Sequence, residues 1–301
     1  MLENKKVSLQ DLIQALDQHD SNRVAQLLIQ IHENYDYIIK NKSDFLEIIE
    51  ELIAINSDLN ASLKLDYSYL DDFGNEAFRA QNSFSIRVID FLLLNAVAYG
   101  VFDAIKILLQ RGADVHIRDH SGLTVLMIIG RKAHYLYRPY QYNDKDRLKI
   151  MHLLVNHGAD IKAIDNDGST VLESVGNNVY AVEFLLQQGV DQDTITKALR
   201  LAVGYVVNDS RDFLKIIELL LKHGARVNDK NENGDSILSR SLYFTITPLY
   251  RNHAKSIKLL LEHGADVHIQ NKDGYTALDI AREQDNQEII TILEAHSKNK
   301  N

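Results

Sequence analysis

Lys255-Ser256-Ile257-Lys258-Leu259-Leu260-Leu261-Glu262-His263-Gly264-Ala265-Asp266-Val267 reads as the end of one helix and the turn that closes it. The chain then runs through a second turn, Asn271-Lys272-Asp273-Gly274, a helix start at Thr276-Ala277-Leu278-Asp279, and another apolar run, Ile289-Ile290-Thr291-Ile292-Leu293. Apolar residues spaced three and four apart share one face of a helix. Gly264 follows as the residue that takes positive φ after a helix end. The Thr276 hydroxyl is placed to cap the next helix, with Asp279 three residues on at the capping-box position. The unit is therefore a helix pair, with a tight turn between successive pairs.

Both turns recur. The helix-start turn returns as Asp119-x-x-Gly122-x-Thr124-Val125-Leu126, Asp165-x-x-Gly168-x-Thr170-Val171-Leu172 and Asn231-x-x-Gly234-x-Ser236-Ile237-Leu238. The closing turn returns as Gly112-Ala113-Asp114-Val115, Gly158-Ala159-Asp160-Ile161, Gly189-Val190-Asp191 and Gly224-Ala225-Arg226-Val227. These residues resemble the ankyrin repeat, in which a Gly-x-Thr-Pro-Leu-His helix start and a Gly-Ala-Asp closing turn bound two short helices. The family's Pro is absent from every copy, and its His is replaced by Met127, Glu173, Ser239 and Asp279. The usual His-to-Thr hydrogen bond is thus lost, although Thr170 and Glu173 are spaced for a capping box. The resemblance implies an all-α solenoid of about seven helix-turn-helix units, less ideal than the family consensus, that binds other proteins.

At 301 residues the chain has room for one array or two ordinary domains, and the repeats favour one array. With 45% apolar and 25% charged residues it falls in the globular range. No apolar run is long enough to span a bilayer. Met1-Leu2-Glu3-Asn4-Lys5-Lys6 leads into an amphipathic pattern and not an apolar signal core, so Sec export is not expected. The absence of Cys excludes disulfides, a thiol nucleophile and Cys-ligated metal. A formal net charge of -9 argues against nucleic acid and anionic lipid as partners.

Residues 1–60 carry worn helical patterns, Leu12 to Leu16, Val24 to Ile31 and Phe45 to Ile55, and are expected to form degenerate N-terminal cap repeats. Asn56-Ser57-Asp58-Leu59-Asn60 reads as a closing turn with Asn in place of Gly. Residues 61–84 are expected to be a long connecting loop, and residues 85–301 the repeat array. Within the array the turn Gly and closing Gly stand about 23 residues apart in the family. Here Gly122 and Gly158 are 36 apart and Gly234 and Gly264 are 30 apart. The Leu-Leu pairs before each closing Gly stay in register, so the extra residues fall at the corner between the two helices. The insertions are placed at 131–146, 204–211 and 243–253, and both prolines, Pro139 and Pro248, lie within them. Gln287, Glu288, Thr291 and Glu294 give the last helix a polar outer face suited to a terminal cap.

The sharpest candidate site is the row of aromatic corners. Tyr135, Tyr137, Arg138, Tyr140, Tyr142, Tyr205, Tyr243, Tyr250 and Arg251 fall at or beside helix-to-helix corners, together with Tyr180. Tyr and Arg are the residue types that most often dominate protein interfaces. The competing reading is that these tyrosines fold back and pack on the helices beneath. A second surface is the set of turn tips, His120, Ser121, Asn166, Asp167, Glu232, Asn233 and Lys272, with the adjoining concave face of the first helices. His157, His223 and His263 recur just before a closing Gly, and repeat spacing of ~10 Å is too wide for a shared ion with Zn–N bonds near 2 Å. No metal or cofactor is expected. No phosphate-binding, dinucleotide or hydrolase motif is present, and His134 with Asp144 or Asp146 lies in a loop without the rigid support catalysis needs.

The expectation is a monomeric, non-catalytic, cytoplasmic protein-protein interaction module. Its Lys, Asn and Ile richness suits an effector that an intracellular bacterium secretes into the host cytoplasm. The alternative is an immunity or inhibitor protein that occludes the active site of a toxin or enzyme, steered by its negative charge to a basic target.

Overall fold

The computed structural model describes residues 62–66, 83–119, 121–130, 143–176, 178–205, 211–243 and 251–299, with scattered positions between 11 and 60. They divide into two compact units, Met1–Ser169 and Thr170–Asn301. Helices dominate the described residues of both, and the described residues of the turns and helix starts quoted between Gly112 and Leu293 fold as helices and turns.

In the first unit, strands β1 (Ser62–Asp66) and β2 (Ser83–Arg87) pair antiparallel, Leu63 opposite Ile86 and Leu65 opposite Phe84. The expected loop over 61–84 is therefore bounded by a two-stranded ribbon, and the helix expected from Ser85 begins at Val88. Then follow α1 (Val88–Tyr99), α2 (Phe102–Gln110), α3 (Val125–Gly130) and α4 (Asp144–Asn156). First helix α1 lies beside α3, and second helix α2 beside α4. Leu59 and Asn60 form a turn, and the Leu59 carbonyl accepts from Ile89 N at 2.9 Å; Asn56, Ser57 and Asp58 lie outside the described residues. Ala15, Leu27, Ile49 and Leu52, all at helical positions, are buried.

In the second unit the pairs are α5 (Val171–Ser174) with α6 (Val179–Gln187), α7 (Gln192–Tyr205) with α8 (Arg211–Lys222), α9 (Ile237–Leu242) with α10 (Arg251–Glu262), and α11 (Ala277–Glu283) with α12 (Gln287–Asn299). First helices α5, α7, α9 and α11 stand side by side, as do second helices α6, α8, α10 and α12. The buried residues fall in register on the second helices: Leu185, Ile217 and Leu220, Ile257 and Leu260, Ile289 and Leu293. Each short helix pair thus gains its apolar burial from its neighbours.

Residues at the edges of the three expected insertions are helical. Asp144 and Asp146 belong to α4, whose N-cap Asn143 accepts from Asp146 N at 2.8 Å. Gly204 and Tyr205 belong to α7, Arg211 to α8, and Arg251 to His253 to α10. At α4 the Asn143 cap fixes where the helix begins.

Each helix-start turn is built by its first residue. Asp119 Oδ1 accepts from Ser121 N and Leu123 N, both at 2.9 Å; Asn231 Oδ1 does the same with Asn233 N and Asp235 N, and Asp165 and Asn271 repeat the pattern. This is why only Asp or Asn stands there. The Thr170–Glu173 and Thr276–Asp279 pairs form full capping boxes. The acid at the helix's third position takes over the tether that the family His would supply.

Among the described residues between the closing turns at Gly189 and Gly224 there is no hairpin. Asp191 caps α7 directly, accepting from Thr194 N at 2.9 Å, and α7 runs 14 residues where α9 has six and α11 seven. The residues that would build a turn are wound into helix. Three of them, spaced four apart on one stripe, tie α7 to the turn residues that follow α8: Gln192 Nε2 donates to Gly224 O at 2.8 Å, Thr196 Oγ1 accepts from Arg226 N at 3.0 Å, and Arg200 donates to Lys230 O at 3.4 Å.

Two tests follow from this packing. Thr196→Val keeps the shape but removes the acceptor of the Arg226 N–H, and is expected to cost about 1 kcal/mol in urea unfolding. His253, 4% exposed on α10, has its pKa lowered from 6.5 by burial. The fold therefore favours the neutral ring: its contribution is complete above the unfolded value and is lost as pH falls below it, when the unfolded chain takes up the proton first. The urea midpoint is expected to drop between about pH 7 and pH 5, and His253→Gln to flatten that slope.

Candidate functional site

The first-helix side of the second unit carries a polar network whose hub is Asp235. Its position follows from the turn before it: Asn231 fixes the hairpin, Ser236 caps α9 by accepting from Ser239 N at 3.1 Å, and Asp235 is held between them, 6% exposed. Asn231 Nδ2 donates to Asp235 Oδ2 at 3.1 Å. On the other oxygen, Oδ1 accepts from the Tyr243 hydroxyl at 2.9 Å and from Asn271 Nδ2 at 3.2 Å. Asn271 Nδ2 also reaches the Tyr243 oxygen at 3.3 Å. Two hairpins and the end of α9 are thereby joined through one carboxylate.

Tyr243 follows the last residue of α9, yet its hydroxyl binds a residue that precedes that helix. Its side chain runs back along the helix toward the N-terminal end, the direction in which helical side chains point. The ring stays 41% exposed while its oxygen is pinned. Burial first, then the hydrogen bond to Asp235, raise the phenol's pKa above 10.0, so it remains a proton donor to Asp235 at neutral pH. Gln284 Nε2, donating to Leu242 O at 2.9 Å, ties the same end of α9 to the last repeat. Tyr275, 45% exposed, stands on the adjoining hairpin with its backbone N–H held by Asn271 Oδ1 at 2.9 Å.

Where the third hairpin is missing, charges fill the face. Arg200 pairs with Asp229, and Arg226 bridges Asp193 at 2.7 Å and Asp229 at 3.7 Å. These residues were not among the sequence candidates. The signal that would have found them is the lack of any Asp/Asn-x-x-Gly between Gly189 and Gly224.

Of the corner candidates, Tyr135, Tyr137, Arg138, Tyr140, Tyr142 and Tyr250 lie outside the described residues, as do His120 and His134. Tyr205 and Arg251 are placed by backbone alone, at the end of α7 and the start of α10. Tyr180 is 56% exposed near the start of α6. Tyr243 is turned away from the corner and toward the hairpins. The tips Asn166, Asp167, Glu232, Asn233 and Lys272 are exposed, and neighbouring hairpins touch through Asn166 N to Ser121 O and Lys272 N to Asn233 O, both 3.1 Å. His157, His223 and His263 turn back on their own helices, each Nδ1 donating to the carbonyl four residues earlier at 2.8–2.9 Å. Among the described residues no three His, Asp or Glu side chains converge as a metal site. No described helix is long and apolar enough to cross a membrane.

Residues 213–301 match the family model of ankyrin repeats, in three copies. An ankyrin repeat domain from Acinetobacter baumannii AYE is 24% identical with a TM-score of 0.56, the match covering 68% of this chain and 97% of that one. A second ankyrin repeat protein is 22% identical with a TM-score of 0.55, over 67% and 96% of the two chains. The ankyrin repeat domain of Bcl-3, a member of the IkappaB protein family, is 20% identical with a TM-score of 0.53, over 94% and 97%. No curated protein matches the sequence.

Removing the hydroxyl in Tyr243→Phe leaves Asp235 Oδ1 short of one donor while the ring stays in place. The expected loss is about 1 kcal/mol in urea unfolding, and an Asn271→Ala, Tyr243→Phe double-mutant cycle is expected to show coupling of at least about 0.5 kcal/mol.

Proposed function

Starting from a chain of ankyrin repeats, we propose that it is a non-catalytic module that binds a protein partner on the first-helix face of residues 170–301, with the corner insertions as further contacts. The observation that carries this is Tyr243: a large aromatic ring left exposed while Asp235 and Asn271 fix its orientation. An anchor whose rotamer is already set loses little entropy on binding, and Tyr is enriched among residues that dominate interfaces. Tyr275 extends the same surface, and Tyr135, Tyr137, Arg138, Tyr140, Tyr142, Tyr205, Tyr250 and Arg251 are the corner residues assigned to the second contact. The partner is a protein and not nucleic acid, since the net charge of -9 opposes binding to phosphate backbones.

The same charge supports a second reading, an inhibitor that covers a basic enzyme's active site. Delivery into a host cell as an effector rests on composition alone. Affinity capture with the full chain from host lysate and from the producing organism's lysate distinguishes these, because an effector draws its partner only from the host.

For a partner so captured, Tyr243→Ala is expected to weaken binding by about 2 kcal/mol, the scale of an interface anchor. Its urea midpoint, measured alongside, separates lost contact from lost fold. Unchanged affinity in both Tyr243→Ala and a chain shortened within Arg131 to Asp146 would remove both proposed contact surfaces.

A further inference from the structure

The four hairpin tips end in Ser121-Gly122, Asp167-Gly168, Asn233-Gly234 and Asp273-Gly274, and Asn233-Gly234 is the only Asn-Gly pair in the chain. A glycine after asparagine has no Cβ to hinder its backbone nitrogen, and asparagine is among the residues least durable toward heat and time. The two aspartate tips carry no amide to release as ammonia, and the serine tip carries no side-chain carbonyl at all.

We propose that Asn233 is a self-modification site whose rate is set by the opening of its own hairpin. The nitrogen of Gly234 attacks the side-chain carbonyl carbon of Asn233, the new N–C bond closes a succinimide, and the side-chain amide leaves as ammonia with the displaced amide proton. One water then opens the ring at either carbonyl, giving aspartate or isoaspartate. The net change is one water consumed and one ammonia released, with no change of oxidation state.

The hairpin holds the reaction back. In the closed turn the Gly234 N–H is donated to Asn231 O at 2.9 Å, and Asn231 Oδ1 holds Asn233 N and Asp235 N, both at 2.9 Å. The nucleophile is therefore occupied until the turn loosens. Asn233 itself is exposed, so the leaving ammonia and the incoming water have free access.

The product does not fit the closed turn. Asn233 O accepts from Lys272 N at 3.1 Å, and a Cβ placed on Gly234 would lie only 3.1 Å from that same nitrogen. Isoaspartate lengthens the main chain by one methylene at this contact, which separates the last two hairpins and loosens the Asp235–Asn271–Tyr243 network beside it. The ordinary aspartate product keeps the backbone length and adds a charge beside Glu232 and Asp235.

The test incubates the full chain in mildly alkaline buffer at physiological temperature, folded and in urea, with peptide mapping by mass spectrometry and fragmentation that tells isoaspartate from aspartate. Conversion is expected to concentrate at Asn233, to run faster in urea, and to speed up several-fold in folded Asn231→Ala. Hydrogen exchange at the Lys272 amide is expected to lose protection in the isoaspartate form and to keep most of it in Asn233→Asp. Conversion spread over other asparagines, an Asn233 that stays intact in folded wild type and folded Asn231→Ala alike, or an isoaspartate form with Lys272 still protected would each overturn the proposal.

Discussion

What the stacking depends on is the side-chain grip on each closing turn. At three such turns the glycine carbonyl and the N–H two residues later are both held by side chains, twice from the start of the first helix of the same pair and once from the preceding closing turn. Arg87 and Asp90 hold Gly112 O and Asp114 N at 3.2 and 2.7 Å, Gln192 and Thr196 hold Gly224 O and Arg226 N, and Asn228 alone holds Gly264 O and Asp266 N at 3.1 and 2.8 Å. These side chains pair the turn's backbone donor and acceptor at once, each hydrogen bond contributing about 0.5–1.5 kcal/mol net. A charged pair, a neutral pair and a single amide meet the same requirement. Geometry is retained while the chemistry drifts, which is why the repeats remain recognisable after their consensus residues have been exchanged.

Much of this was legible in the sequence because the backbone demands it. Gly112, Gly158, Gly224 and Gly264 all adopt φ near 90°, a region that only glycine enters without strain, so their positions mark the turns. Thr170 and Thr276 mark the helix starts for a similar reason. The ribbon was missed although Ser62-Leu63-Lys64-Leu65-Asp66 and Ser83-Phe84-Ser85-Ile86-Arg87 alternate apolar and polar residues; against a strong helical context a five-residue alternation is easily passed over. The Tyr243 position was read from its place in the chain, and its direction was not, because a side chain at a helix end reaches back over the helix it has just left. The long α7 left its trace as a missing Asp/Asn-x-x-Gly between Gly189 and Gly224.

The polar face around Asp235 shows how a repeat protein makes a specific surface from generic parts. Asn231 and Asn271 are each required by their own hairpins through their Oδ1 atoms, and the amide nitrogen of each is then left pointing at Asp235. One side chain thus serves the turn with one end and the network with the other. Tyr243 completes the arrangement and inherits its rigidity from groups whose first duty is structural.

The absent hairpin before α7 has a further consequence. Identical units in a row offer a ligand several equivalent seats, each displaced by one repeat, and nothing in the row itself chooses among them. Winding one tip into helix breaks that translational symmetry within residues 170–301 and plants the Arg200, Asp229, Arg226 and Asp193 charges at the gap. The face acquires an origin and a direction, so whatever is read along it is read in a single phase.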